Sequence, residues 1–244
     1  MKTQTQFLLR IFTLALLMSF IIKSVKAQEN ESSRRIYGGI GYFQTGYAFF
    51  NHDNLNELFT SYGMPELQNG SVSFGGGGHS IIRNFIIGGE GHGLTGSTTS
   101  NSNYTISQGG GYGFFNLGYL VLQKSIFTLY PLLGFGGGGY SITITDKTDL
   151  PTNFNDLLAS PQNQSSISKG GFMLNISLGT DFFIAGTSNG DELGGFILGL
   201  RAGYLLEFNK DKWYIADQEL AGGPDAGISG PFIRLTIGGG GMSK

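Results

Sequence analysis

The chain has few side chains suited to chemistry. Its 244 residues include three His and no Cys, so disulfides, thiolate zinc sites and Cys nucleophiles are excluded together. His92 lies two residues beyond Glu90, and in a strand that spacing sets both on one face. With His79 they could gather around a metal, but zinc needs three or four ligands at suitable spacing. A structural hydrogen-bond network is the commoner role for such residues, and neither metal nor cofactor is expected. The third histidine, His52, lies in a loop-like stretch. A Ser-His-acid arrangement needs Ser and His side by side, yet Ser80 directly follows His79 and so falls on the opposite face of a strand. Gly91-His92-Gly93-Leu94-Thr95-Gly96 fits G-x-G-x-x-G, but that fingerprint needs a helix opening within it. Here STTSNSN follows, and with 42 Gly the match is a chance one. A formal charge of −2 and a pI near 5.9 leave no footprint for nucleic acid.

The elements that must position these residues read as strands. Period-two alternation between turn-forming stretches marks eight segments: 35–50, 70–82, 85–96, 103–122, 126–145, 166–185, 195–208 and 228–241. In 172–184 the even positions are Phe172, Leu174, Ile176, Leu178, Thr180, Phe182 and Ile184, while the odd ones include Asn175, Ser177 and Asp181. In 196–208 the row from Phe196 to Phe208 opposes Arg201 and Glu207, and in 231–237 Ile233, Leu235 and Ile237 oppose Arg234. Glu90, Lys169, Asp181, Arg201, Glu207 and Arg234 all fall opposite an apolar row. Asp181 and Arg201 flank one turn and are placed as diagonal neighbours. Long and short connections alternate, as in barrels with short periplasmic turns and longer external loops. Arg83-Asn84, the stretch near Lys124 and Gly186–Gly194 are then periplasmic turns. The surface loops are 51–69, 146–165 and 209–227, with short helices expected at Asn54–Phe59 and Asn153–Leu158.

Composition decides what such strands face. Charged residues make up 13% of the chain, against about 25% in soluble domains, too few to coat the outside of a soluble β-sandwich. The polar faces are instead sparse and Gly-filled, as a narrow packed interior requires. Lys2 and Arg10, the apolar run Ile11–Ile22 and Val25-Lys26-Ala27 describe a secretory signal peptide cut after Ala27. Its removal leaves 11 basic and 17 acidic residues, a net charge of −6. No later stretch is apolar enough for a membrane helix, so a membrane-spanning mature chain must be a closed barrel. The expected organisation is a signal peptide over 1–27, a short periplasmic segment over 28–34 and a barrel domain over 35–244.

Gly75–Gly78, Gly136–Gly139 and Gly238–Gly241 are runs of four within strand-like segments. Glycine there marks a bend or close approach. If Arg83-Asn84 is a two-residue turn, Glu90 faces Gly77 and His92 faces Gly75, which makes room for two large polar side chains. Glu90, His92, Asp181, Arg201, Glu207 and Arg234 then form a polar network inside the barrel, structural rather than catalytic.

With this pattern the chain resembles the small eight-stranded OmpA-type outer-membrane barrels of Gram-negative bacteria, over about residues 35–241. The tail VKAQEN after the apolar core resembles precursors from the Bacteroidota. The resemblance implies an all-β, closed, antiparallel up-and-down transmembrane barrel exported to the outer membrane. Its partners would be outer-membrane lipids, the barrel assembly machinery and an extracellular ligand at loops 51–69, 146–165 and 209–227. Barrels of this type usually end in an aromatic residue, whereas this chain ends IGGGGMSK. An eight-stranded lumen is too filled for a general porin, so a structural or surface-interaction role without enzymatic activity is expected. Two alternatives are a lipid-modifying barrel enzyme and a secreted soluble β-sandwich. Lipid A deacylases of this shape place His and Ser two apart on one face; here the second position after His79 is Ile81.

Overall fold

The alternating stretches all form strands in the computed structural model, which describes residues 35–148, 150–159, 164–189, 191–208 and 212–243. The expected signal peptide and the segment 28–34 lie outside the described residues. The eight long strands are β1 (Tyr37–Ala48), β2 (Ser71–Ile82), β3 (Phe85–Ser100), β4 (Tyr104–Tyr119), β5 (Phe127–Asp146), β6 (Gln164–Asn189), β7 (Glu192–Glu207) and β8 (Gly230–Ser243). Each pairs antiparallel with the next, and β8 returns to pair with β1. The chain is an all-β, closed, up-and-down barrel.

The register fixes its geometry. A row of Cα partners that leaves β1 at Gly38 passes Ile81, Ile86, Gly118, Leu132, Ser177, Gly203 and Phe232, then re-enters β1 at Ala48. The row has climbed ten residues in one circuit, a shear of ten for eight strands. With about 3.3 Å rise per residue and about 4.8 Å between strands, the strands tilt by about 40°. Each residue then climbs about 2.5 Å, and an apolar band about 25 Å tall takes about ten residues of strand.

Outward-facing side chains supply that band. Phe43, Phe74, Phe85, Phe115, Leu133, Phe135, Phe172, Phe182, Leu198 and Leu235 are all exposed on the wall. In water so continuous an apolar surface would be unstable; in hydrocarbon it is the solvated face. No described helix is long and apolar enough to cross a membrane.

Strand ends differ from expectation in instructive ways. The nine-residue turn expected at Gly186–Gly194 shrinks, since β6 runs to Asn189 and β7 starts at Glu192. Backbone pairing continues there because Gly186 and Gly195 let the strands approach. The chain near Lys124 forms a small strand, Leu122–Lys124, that folds back on β5. At the other end β3 continues through STTS to Ser100, where Ser and Thr had suggested a loop. A bulge between Leu94 and Ser97 separates this extension from the part of β3 that pairs with β2. Two further short strands, Trp213–Ile215 and Gln218–Leu220, join the sheet at Ser168. Helices α1 (Asp53–Ser61) and α2 (Phe154–Ala159) sit close to where they were expected.

Candidate functional site

Among the described residues the lumen gathers buried charge: Glu90, Asp181, Arg201 and Arg234 are each at most 7% exposed. The turn at Arg83-Asn84 has φ of 53° and 71°, the two-residue geometry that matches strand twist. It sets Glu90 opposite Gly77 and His92 opposite Gly75. A Cβ at Gly77 would lie 2.3 Å from the Gly89 carbonyl oxygen, and one at Gly75 would lie 2.0 Å from that of Gly91. Only glycine lets the two strands lie so close beneath Glu90 and His92.

Glu90 is the hub. Its Oε2 lies 2.5 Å from Arg201 Nη1, and its Oε1 lies 3.5 Å from Arg234 Nη1. Asn175 Nδ2 donates to Oε1 at 3.1 Å, and the Tyr42 hydroxyl donates to Oε2 at 3.4 Å. Arg234 Nη2 donates to the Tyr112 hydroxyl at 2.8 Å, and its Nη1 lies 3.3 Å from His92 Nε2. Arg201 Nη2 reaches the Tyr130 hydroxyl at 3.3 Å, and that hydroxyl donates to Asp181 Oδ2 at 2.7 Å. Both guanidiniums also lie over rings: Arg201 is 4.8 Å from the Tyr42 centroid, and Arg234 is 3.8 Å from that of Phe232. Two carboxylates thus balance two guanidiniums, and charge-assisted hydrogen bonds offset the cost of taking them out of water.

Of the six residues assigned to a polar network from sequence, the structure brings Glu90, His92, Arg201 and Arg234 together. Asp181 joins through Tyr130, with Arg201 as its diagonal neighbour across β6 and β7. Glu207 belongs elsewhere. It lies 3.0 Å from Lys169 Nζ and accepts from the backbone N–H of Ile228 at 3.1 Å, nearer the long-loop end. Sequence reading missed Tyr42, Tyr112 and Tyr130, and set Asn175 on the polar face of its strand without assigning it to the network. All four sit on the inward parity of their strands, the signal that would have found them.

Above and below this network apolar clusters fill the lumen, the one at the long-loop end lying beside the Lys169–Glu207 pair. At the short-turn end Ile40, Ile81, Ile86, Leu132, Ile197 and Met242 pack together. At the other end loops turn inward: Phe50, Leu55, Phe59, Leu67, Trp213 and Ile228 join Ile106, Tyr140 and Ile142 from the strands. His52 is fully buried there, between Phe50 and Tyr140, with Nδ1 3.1 Å from the Gln68 carbonyl oxygen. Burial holds its pKa below the ordinary imidazole value, with the Gln68 carbonyl opposing that shift. The single Trp213 donates from Nε1 to the Pro224 carbonyl at 3.0 Å and lies near Lys169. Large parts of 51–69 and 209–227, expected as free surface loops, therefore serve as a cap. Apolar residues spaced four apart, Leu55 and Phe59, pull the first of them in.

His79 lies inside the wall between the rings of Tyr42 and Tyr130, while Ser80 is exposed on the opposite face. Among the described residues no group of three His, Asp or Glu side chains is placed to hold a metal ion.

No protein family and no curated protein matches the sequence. Among solved structures the chain is similar to Ail, the attachment invasion locus protein of Yersinia pestis, at 12% identity and a TM-score of 0.42, covering 85% of this chain and 97% of that one. It is also similar to Neisserial surface protein A, at 11% identity and a TM-score of 0.31, covering 86% and 96%. Outer membrane protease OmpT from Escherichia coli gives 8% identity and a TM-score of 0.28, covering 87% and 98%. The closed register establishes the barrel without them.

Proposed function

We propose that the protein is an integral outer-membrane barrel, exported by the N-terminal signal peptide and inserted by the barrel assembly machinery, that acts through its external surface. It is neither a general porin nor an enzyme. The observation that carries this reading is the filled lumen: an apolar plug at each end encloses a charge-balanced network around Glu90. A solute has no open path, and Glu90, Arg201, Arg234 and Asp181 inside are engaged with one another directly or through tyrosines. What remains for function is the loop end. There the loop joining β5 and β6 exposes Leu150, Phe154, Leu157 and Leu158, and α2 buries none of its residues. Loops of this kind carry function on rigid scaffolds, and this one is the contact surface for an extracellular ligand.

Density-gradient fractionation of envelopes combined with protease treatment of intact cells tests the reading. The protein should band with outer membrane, and the first cuts should fall between 150 and 159. The capped segment around α1 should be cleaved more slowly, because nicking favours exposed tips with few buried contacts. Recovery in the soluble fraction, or cuts confined to the turn at Arg83, would contradict it.

A further inference from the structure

The barrel wall is taller on one side than on the other. The ladder of β5 with β6 continues to Thr145 and Gln164, and that of β3 with β4 to Ser100 and Thr105. On the far side β7 stops at Glu207, β8 begins at Gly230, and the outward rows end in the exposed apolar residues Phe208 and Phe49. Outward residues of the tall side change character in three zones. Along β5 they run Phe127, Leu129, Pro131, Leu133 and Phe135, then Gly137 and Gly139, then Ser141, Thr143 and Thr145. Leu129 and Gly139 are ten residue steps apart along the strand, the span that fills an apolar band about 25 Å tall at this tilt. The hydroxyl zone therefore begins where the band ends, on the same face and with no break in the sheet.

That zone is a grid. Thr98, Ser107, Thr143 and Ser166 form one row of Cα partners across four strands, with Ser100, Thr105 and Thr145 in the row above. Neighbouring hydroxyls lie within hydrogen-bond reach: Thr98 with Ser107 at 3.0 Å, Ser100 with Thr105 at 2.9 Å, and Thr143 with Ser166 at 3.4 Å. Each hydroxyl offers one donor and two acceptor lone pairs, so a pair joined by one bond keeps a donor and several acceptors facing outward. Strand spacing sets them about 4.8 Å apart across the sheet and about 6.7 Å apart along it. No acidic or basic side chain belongs to these two rows; Lys147 at the rim is tied to Ser100 Oγ at 2.9 Å and to the Asn101 carbonyl.

We propose that this grid is a docking surface for the saccharide headgroups of outer-leaflet glycolipid, held against one side of the barrel. The inference rests on the outer-membrane reading. Continuity with the lipid-facing band puts the grid at headgroup height. Its chemistry, dense in hydroxyls with one rim cation already tied to Ser100 and the Asn101 carbonyl, suits sugar hydroxyls rather than a phosphate cluster, which would call for several Arg or Lys. The glycine zone beneath leaves the wall bare of side chains, so an acyl chain can lie close to the backbone under a headgroup seated on the grid.

The test uses the full mature protein, purified in detergent, freed of lipid and titrated while bound lipid is counted by native mass spectrometry. The probes are lipid A bearing its core oligosaccharide, lipid A without that core, and phosphatidylglycerol. The variant carries Thr98→Val, Ser107→Ala, Thr143→Val and Ser166→Ala, which keep side-chain size and lie away from the Glu90 network. The parent should bind the saccharide-bearing glycolipid about tenfold more tightly than the other two, the worth of about one net hydrogen bond. The variant should lose that preference while its unboiled gel mobility stays that of the parent. Equal binding of lipid A with and without its core oligosaccharide, or an undiminished preference in the variant, would overturn the proposal. So would binding of free core oligosaccharide as tight as that of the glycolipid. The titration is done on purified barrel, so its failure is distinct from failure to band with outer membrane, which would sink the localisation instead.

Discussion

Replacing Glu90 by Gln would strand Arg201 and Arg234 in the lumen, where both side chains are at most 1% exposed. Removing one partner from a buried pair costs about 3–5 kcal/mol, most of it the price of the charge left behind. Glu90→Gln should therefore destabilise the barrel by about that much in urea unfolding from lipid vesicles. Glu90→Gln combined with Arg201→Met should cost clearly less than the two single changes added together, since the residues are in direct contact. Strict additivity would mean that the two side chains do not interact. The glycines opposite are tested in the same assay. A Cβ at Gly77 meets the Gly89 backbone, whereas one at outward-facing Gly91 meets nothing within 4 Å. Gly77→Val should cost about 1–3 kcal/mol by overpacking, and Gly91→Ala no more than about 0.5 kcal/mol. The glycine and the carboxylate above it were legible together, because a two-residue turn dictates its own register. The Tyr130 link to Asp181 was not, because it depends on the pairing of β5 with β6 across a long loop.

Strands were readable where two environments press on one chain. Lipid outside and a packed lumen inside force a change of character at every residue, and β6 shows it best: Ile176 is half-exposed and Ser177 buried. Ile176→Lys should cost about 2–4 kcal/mol, as a basic residue does at mid-membrane, and Ser177→Ala less than about 1 kcal/mol; the reverse order in vesicle unfolding would place this strand in the wrong register. Where the outside is water the pressure relaxes. The top of β3 carries Ser and Thr on both faces and so resembled a loop, although its backbone stays paired with β4. Loops that turn inward were harder still, since nothing in a polar stretch announces that its few apolar residues will cap a lumen. That cap contains a titratable group. His52 is held neutral by burial, with Asp53 and the Gln68 carbonyl favouring its protonation and Lys169 opposing it. Opening the cap returns it to an ordinary pKa of about 6.5. The open form then binds more protons below that pH, so closure is fully stable above it and weakens as pH falls. Hydrogen exchange of α1 should thus accelerate from pH 7.5 to 5.5, after correction for intrinsic rates, by at most about tenfold per pH unit. His52→Asn should abolish that dependence. A dependence that persists in the variant would assign it to another group.

At the scale of the whole molecule, stability comes from closure. The ring leaves the membrane-spanning backbone with no unpaired edge, the requirement that hydrocarbon imposes. Turn chemistry at Arg83-Asn84, the shear of ten and the two plugs all serve one closed cylinder. Low charge and high Gly content, odd in a soluble protein, follow from it directly: the outside needs no charge, and the inside has little room. The central claim is therefore that the folded chain is a detergent-dependent barrel that unfolds as a unit. Electrophoresis of the extracted protein with and without boiling tests it most directly. The account predicts that extraction needs detergent, and that the unboiled sample migrates ahead of the boiled one because the cylinder stays compact in dodecyl sulfate. Release into buffer without detergent, with identical mobility before and after boiling, would contradict it.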